Sequence, residues 1–538
     1  MRPRRWILPM TTKYLETWHE YRSQTDKQRK ISQFSVLKKN MHSNIALRIL
    51  TSAPGLLLLL LMSLGSQILQ GCSINPATGE QNFTAFMPPE KELREGRKAD
   101  PHIRRQFGGA YTDAALSAYI TGIGRRLAAQ SELPNLKFTF TVLNSPDVNA
   151  FALPGGFVYV TRGLLALADN EAQLAGVLAH EIGHVTARHA AQRYSRTVVA
   201  QIGRVFARLA DQPILDSVLS TGGQIYLSSY SREQEFEADH LGVRYLIRAG
   251  YDPTGVAAFL TKMRQHAILE TKLAGSRQDP DRFQLLATHP RTMDRVQRAI
   301  KKAQDEGGKP GRVGRESYLE QIDSLLYGDD PEQGVIRGRT FIHPKVGFRF
   351  TVPVGYKMLN TPAALQIFGT EPVRIAVDHL RVRPSTNAVD FLTSDWAASI
   401  SLQNVERINI NGLIGATGTR VVRGKKGPIT QRLVAVRLEH DSIVRFLFMT
   451  PSRISPSINH ALRRMTYSLE RLPAEMPPLK AARIRVHRVG PRDSVETMAL
   501  QMPVGPQAER RFRVLNGIAD SEAVRPGMLV KLVDEPQP

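Results

Sequence analysis

The chain reads as an α+β multidomain protein: a mainly helical domain with a small sheet and a metal-site motif, then an α+β domain, then a small βααβ unit. Three observations predict this order. Apolar residues recur at helical spacing through much of 114–303, strand-like alternation dominates 335–470, and stretches poor in large apolar residues separate them. With 538 residues, 42% apolar and 22% charged, the chain has material for two to four domains and is not compositionally disordered. The boundaries read as an N-terminal extension with signal segment (1–72), the metal-site domain (73–303), a linker (304–334), the α+β domain (335–470), a second linker (471–482) and the terminal unit (483–533).

The formal charge of +23 bears on association and not on fold. By itself it does not choose among nucleic acid, an anionic membrane and an acidic polymer, and Arg-rich solvated faces account for it as well. No nucleic-acid partner is expected. Cysteine says more, because a single Cys excludes an intrachain disulfide and leaves Cys72 to be explained alone. Upstream, 56–64 (LLLLLLMSL) is too short to span a bilayer as a typical helix, yet suits a signal-peptide core, with Arg48 as a positive flank. The run ends in Leu69-Gln70-Gly71-Cys72, which resembles the bacterial lipoprotein box, with Gln at the second position a mild departure. The resemblance implies a diacylglyceryl anchor on Cys72 and a periplasmic chain. Ser73 stands where inner-membrane retention would require Asp, which implies the outer membrane. Residues 1–40 carry many Lys and Arg and no apolar period, and are left out of the fold.

After a turn-rich tether, NPATGEQNF (Asn75 to Phe83), a polar helix is expected around Glu90 to Arg105. Leu116, Tyr119, Ile120, Ile123 and Leu127 predict an amphipathic helix from Ala114 to Gln130. Lys137 to Leu143 alternates as a strand, and Ala150 to Thr161 predicts two strands about a Pro154-Gly155-Gly156 turn. From Asn170 the pattern is strongly helical, with Asn170 and Gln173 placed as the two halves of a capping box. A second helix is expected from Ser231 to Ala249, stopped by Gly250 and Pro253, and a third over Thr288 to Ala303. The 304–315 stretch, rich in Lys, Gly and Arg, marks the domain end. Beyond it, Phe348 to Tyr356, Val373 to Val382 and Ser442 to Thr450 read as strands, with a helix near Ser457 to Ser468. No period of 20 to 50 residues repeats.

The first long helix carries His180-Glu181-Ile182-Gly183-His184. Histidines four apart lie one turn apart on one face, as two ligands of one zinc require. Glu181 then stands beside the metal, where it can take a proton from a water that zinc acidifies towards ~7 and pass it to a leaving amine. Gly183, between the ligands, suits a close backbone approach. A third protein ligand is needed, and the second helix offers Glu235-Phe236-Glu237-Ala238-Asp239. Glu235 and Asp239 share a face there, while Glu237 points about 200° away at ~3.6 residues per turn. Glu235 is therefore assigned to the metal, and Asp239 to the free nitrogen of a ligand His. A metzincin pattern would need Gly at 187 and His at 190. The chain has Ala187 and Ala190, with His189 one position early.

HEIGH followed by SREQEFEADHLG resembles the gluzincin family of CAAX-prenyl endopeptidases, most closely its bacterial periplasmic lipoprotein proteases. NPATG, NAFALPGGFVYVTRGLL (Asn149 to Leu165) and THPRTMDR (Thr288 to Arg295) extend the likeness over roughly 73–300. It implies one zinc per chain on His180, His184 and Glu235, Glu181 as acid/base and Asp239 as orienter. It also implies active-site roles for His289 and Arg295, with His289 either stabilising the oxyanion or filling the open metal position. The strand at Ala150 to Leu153 would bind substrate backbone or serve as an ordinary core strand. With no long apolar span beyond the signal, substrates are expected to be soluble or outer-membrane polypeptides, such as misfolded or misassembled envelope proteins.

The terminal segment, Arg483 to Val533, resembles a LysM module through Asp493, Ser494, Leu515, Asn516, Pro526 and Gly527, which implies peptidoglycan as a partner. A purely structural βααβ unit is the other reading. The expected function is thus a zinc endopeptidase, set against an envelope assembly factor with a mostly closed metal site and a peptidoglycan-bound scaffold.

Overall fold

The computed structural model describes residues 72–209, 229–273 and 310–534, apart from 370, 371, 425, 426, 440 and 474, together with 289, 295, 298, 301, 304 and 305. The signal run, and most of the helix expected over Thr288 to Ala303, lie outside them. Among the described residues no helix is long and apolar enough to cross a membrane.

The metal-site domain opens with a hairpin of β1 (Cys72–Ile74) and β2 (Gln81–Phe83). Helices α1 (Pro89–Gln106) and α2 (Ala114–Ala128) come next, the latter capped by Asp113 and burying Leu116, Ile120, Ile123 and Leu127 as its periodicity predicts. Strands β3 (Thr139–Leu143), β4 (Ala150–Leu153) and β5 (Phe157–Thr161) form a sheet of order β3-β5-β4. The β4–β5 turn uses Gly155 and Gly156 at φ 82° and 86°, a region open to glycine. The outer strand β4 is buried at all four residues.

After α3 (Arg162–Leu167) come α4 (Glu171–Thr186), buried along its whole length, and α5 (His189–Leu209). Asn170 caps α4 through the Gln173 N–H at 2.9 Å. The expected return bond is displaced by one residue, since Gln173 Oε1 accepts from the Asp169 N–H and not from Asn170. Helix α6 (Arg232–Arg248) starts on a complete capping box between Ser231 and Gln234, and α7 (Gly255–Leu273) packs on α4.

The stretch 304–334, read as a linker, contains α8 (Arg315–Ile322), whose Tyr318, Leu319 and Ile322 are fully buried in the same core as α4. Buried Arg162 fastens the turn beyond this helix, donating to the Leu326 and Gly328 carbonyls at 3.1 and 2.7 Å.

The α+β domain pairs two antiparallel sheets. The smaller contains β6 (Val335–Arg337), β7 (Thr340–His343), β8 (Phe348–Thr351) and the late strand β16 (Glu470–Arg471), in the order β16-β8-β7-β6. The larger contains β9 (Lys357–Asn360), β10 (Leu365–Phe368), β11 (Arg374–Arg381), β12 (Gln403–Ile410), β13 (Leu413–Gly424), β14 (Gly427–Glu439) and β15 (Ser442–Pro451), in the order β12-β13-β14-β15-β11-β10-β9. Phe348, Phe350, Phe446 and Phe448 share a core with Leu462 and Met465 of α9 (Pro456–Tyr467).

The terminal unit is β17 (Arg483–Arg488), α10 (Val495–Leu500), α11 (Ala508–Asn516) and β18 (Leu529–Asp534), with β17 antiparallel to β18. Its core is continuous with that of the metal-site domain, which Ile484, Phe512, Leu515 and Leu532 join. Lys531, fully buried, donates to the Ala166, Leu167 and Ala168 carbonyls at 2.9, 3.0 and 2.7 Å and pairs with Asp169 at 3.2 Å. The residue that precedes the Asn170 cap is thus gripped by the far end of the chain.

Candidate metal centre

Helices α4 and α6 touch through glycine. A Cβ on Gly183 would come within 3.0 Å of the Ala238 carbonyl oxygen, and one on Gly242 within 3.2 Å of the His180 nitrogen. This approach sets Glu235 against the histidine pair. The Nε2 atoms of His180 and His184 lie 3.0 Å apart, and each is 3.6 Å from a different oxygen of Glu235. His289 joins them, its Nδ1 3.0 Å from Glu235 Oε1 and 3.3 Å from His180 Nε2. These four buried residues offer donor atoms all within 4.8 Å of one another.

The protonation states favour a cation at that point. Asp239 Oδ1 lies 2.9 Å from His180 Nδ1, so the ring nitrogen facing the carboxylate carries the proton and a neutral ring leaves Nε2 bare. Burial holds the His184 pKa well below the usual imidazole range, so this ring is neutral. Burial opposes the Glu235 carboxylate, but His289 and Arg295 outweigh it and keep the group ionised. Two lone pairs and a carboxylate converging within 3.0–3.6 Å match the ~3.3 Å spacing of tetrahedral zinc ligands at ~2.0–2.1 Å. The residues fit zinc.

Glu181 lies beside this point with 1% exposure, its Oε2 without a hydrogen-bond partner among the described residues. Burial raises its pKa, against the attraction of His289 and His180. A cavity of about 30 Å³ opens next to it, walled by Val177, Val256, Phe259, Leu260 and Met263. Arg295 bridges Glu235 and Asp239 of α6, with Nε and Nη2 each 2.7 Å from Asp239 and Nη1 2.9 Å from Glu235. It also donates to the His289 carbonyl at 3.1 Å, so it positions carboxylates and the His289 segment. His180, His184, Glu235, Asp239, Glu181, His289 and Arg295 are all brought together. Cys72 is exposed at the start of β1, in the hairpin that packs near this centre.

Two neighbours escaped the sequence reading. Tyr230 stacks on His184 with ring centroids 4.0 Å apart, and the Arg193 guanidinium lies over the Tyr230 ring. His189 lies 2.8 Å from His184 Nδ1. The first had only its place ahead of the Ser231 cap as a signal, and the second was visible but sat off the metzincin spacing.

A buried His–His–Glu donor set with a glutamate inserted between its histidines defines the zinc metallopeptidase class. Residues 114–303 match the model of Peptidase family M48, and the buried His180, His184 and Glu235 lie within the matched segment. The chain is 32% identical over 244 residues to the beta-barrel assembly-enhancing protease of Escherichia coli (strain K12), a match covering 43% of this chain and 48% of that protein. It is 31% identical over 259 residues to the protein of the same name from Yersinia pestis, covering 46% and 51%. It is 31% identical over 176 residues to the mitochondrial metalloendopeptidase OMA1 of Schizosaccharomyces pombe, covering 32% and 52%. The chain spans about half the length of the curated relatives it matches.

Proposed function

We propose that this chain is a zinc-dependent endopeptidase of the bacterial envelope, anchored by lipid at Cys72 and cleaving polypeptides that have misfolded or failed to assemble. The observation that carries the reading is the convergence of His180, His184 and Glu235 beside the buried, unpartnered Oε2 of Glu181. Zinc, when bound there, supplies Lewis-acid polarisation of a peptide carbonyl and acidifies water towards ~7. Asp239 fixes the His180 tautomer, and Arg295 keeps Glu235 and Asp239 ionised and apart. Glu181, with its pKa raised by burial, takes a proton at Oε2 and returns it to the leaving amine.

The envelope setting rests on the lipoprotein-box likeness of 69–72 and on the beta-barrel assembly named for the bacterial relatives. A second reading, a mostly closed centre in an assembly factor, draws support from His289. Four protein donors complete a tetrahedral site and leave no open position for substrate. We reconcile the two by taking the arrangement as a resting form from which His289 withdraws. Peptidoglycan binding by 483–533 is the weaker proposal, since the unit already serves as a brace of the peptidase core.

The test is metal removal and return on the purified chain. One zinc per chain, casein cleavage lost on chelation and regained with zinc are the expected results. Cleavage that survives complete metal removal would end the proposal.

A further inference from the structure

The helix that carries both histidine ligands stops just past the second. Helix α4 ends at Thr186, Arg188 turns through the left-handed region at φ 55°, and α5 begins at His189. A β-carbon at positive φ is strained, so the break is held by contacts. Arg188 is gripped on three sides: it donates to Glu92 Oε1 at 2.7 Å, to Ser73 Oγ at 2.8 Å and to the Met87 carbonyl at 2.8 Å. The turn brings His189 onto the outer side of His184, with the two Nδ1 atoms 2.8 Å apart.

From there a chain of hydrogen bonds runs outward to the N-terminal hairpin. His189 Nε2 lies 3.1 Å from Glu237 Oε2, and Glu237 Oε1 accepts from Asn75 Nδ2 at 2.7 Å. Asn75 Oδ1 in turn accepts from the Ala77 N–H at 2.9 Å. Asn75 and His189 are buried, and the Glu237 side chain is 23% exposed. The glutamate of EFEAD that points away from the metal, and the histidine one place off the metzincin spacing, therefore meet in one structure. Helix α6 supplies an inner ligand from one flank and the outer carboxylate from the other.

With Glu237 a carboxylate and His189 a neutral ring, valence sets the direction of each bond in this relay. An ionised carboxylate only accepts, so His189 donates through Nε2. A neutral imidazole has one N–H, so His189 Nδ1 accepts, and the proton between the rings belongs to His184 Nδ1. His184 Nε2 is then bare, and it faces His180 Nε2 at 3.0 Å. The relay presents the His184 lone pair to the metal, and the Glu237 charge makes that nitrogen a better donor, as carboxylate–histidine pairs do around zinc.

We propose that Asn75, Glu237 and His189 are positioning residues of the metal centre, so that docking of the hairpin at 72–83 sets how tightly zinc is held. The inference rests on His184 being a zinc ligand. It makes the tether a working part of the site: Ser73 and Asn75, next to Cys72, reach the ligand through Arg188 and Glu237, and the Ala77 carbonyl accepts from Arg244 of α6 at 3.1 Å. A merely structural role for these polar residues would lower the stability of the metal-free protein and leave zinc affinity alone.

The experiment measures the zinc dissociation constant by competition with a chromogenic chelator, and the melting temperature of the metal-free protein, on the chain from residue 72 onward. Glu237→Ala and His189→Phe should each weaken zinc about 10- to 100-fold. Asn75→Ala should weaken it in the same direction by less, and Glu237→Gln, whose carbonyl still accepts from His189, should recover part of the loss. Metal-free melting should stay close to wild type in Asn75→Ala and Glu237→Gln, which keep the measurement informative if His189→Phe folds poorly. Zinc affinity within twofold of wild type in Glu237→Ala and Asn75→Ala, with lowered metal-free melting, would overturn the inference. A wild-type chain that binds no zinc would instead overturn the peptidase reading beneath it.

Discussion

The Nδ1 atom of His289 lies 3.0 Å from Oε1 of Glu235, inside the donor set and not at its edge. Glu235 raises the pKa of His289 against the effect of burial, which favours a charge-assisted pair between the two. In the resting form proposed above, His289 takes the fourth position of the donor set, where substrate would have to displace it. His289→Ala should raise the initial rate of casein cleavage on the order of tenfold at saturating zinc, because no side chain then has to withdraw. A rate that falls would show that His289 acts on the reacting carbonyl instead.

The contact of α4 with α6 is tight at Gly183, where a Cβ would sit 3.0 Å from the Ala238 oxygen and 3.3 Å from its Cα, so that the facing backbone would have to give way slightly. Backbone gives way less readily than a side chain does. Gly183→Ala should cost about 1–3 kcal/mol by urea denaturation. It should also weaken zinc, because Glu235 rides on the helix that is pushed away.

Lys531 should be as necessary to the peptidase domain as any residue of its own helices. Its ammonium, with 0% exposure, satisfies three carbonyls at the end of α3. Lys531→Met leaves those acceptors buried without this donor and takes one of two lysines from Asp169, a loss of about 3 kcal/mol in urea denaturation. Removal of 483–538 should yield an insoluble or unfolded peptidase domain, and a soluble, zinc-binding truncation would contradict the brace.

The local features of this fold were legible and the long-range ones were not. The Asn170 cap, the start of the second long helix at Ser231, the strand pair about Pro154-Gly155-Gly156 and the HEIGH and EFEAD faces follow from spacing over a few residues. The break at Arg188 leaves no trace in HVTARHAAQR, which has no Gly or Pro and keeps its helical period. It is imposed by Glu92, Ser73 and Met87 from elsewhere in the chain. The helix at Arg315–Ile322 lay beside a Lys- and Gly-rich run that resembles a linker, and only its packing under α4 shows why Tyr318 and Leu319 are apolar. The packing of 483–533 was hidden for the same reason, since its apolar residues face a partner surface that no local pattern reveals.

The α+β domain should lose stability in acid. His343 is buried against Phe348 and beside His379, and burial, followed by His379 and Lys345, pushes its pKa down to about 3. The folded chain keeps this ring neutral while the unfolded chain protonates it near ~6.5, so its stabilising contribution is complete above ~6.5 and is lost as the pH falls towards 3. Thermal melting monitored from pH 7 to pH 4 should show a falling transition that His343→Phe makes shallower. An identical slope in the variant would assign the acid sensitivity to other groups.

The most direct measurement is casein cleavage and zinc content of Glu181→Gln, purified beside the wild type. Glutamine keeps the shape of the side chain and cannot carry the proton, and Glu181 stands beside the donor set without belonging to it. The variant should hold one zinc per chain and lose cleavage by at least ~100-fold, the scale of general acid–base catalysis. Full zinc with undiminished cleavage would contradict the account.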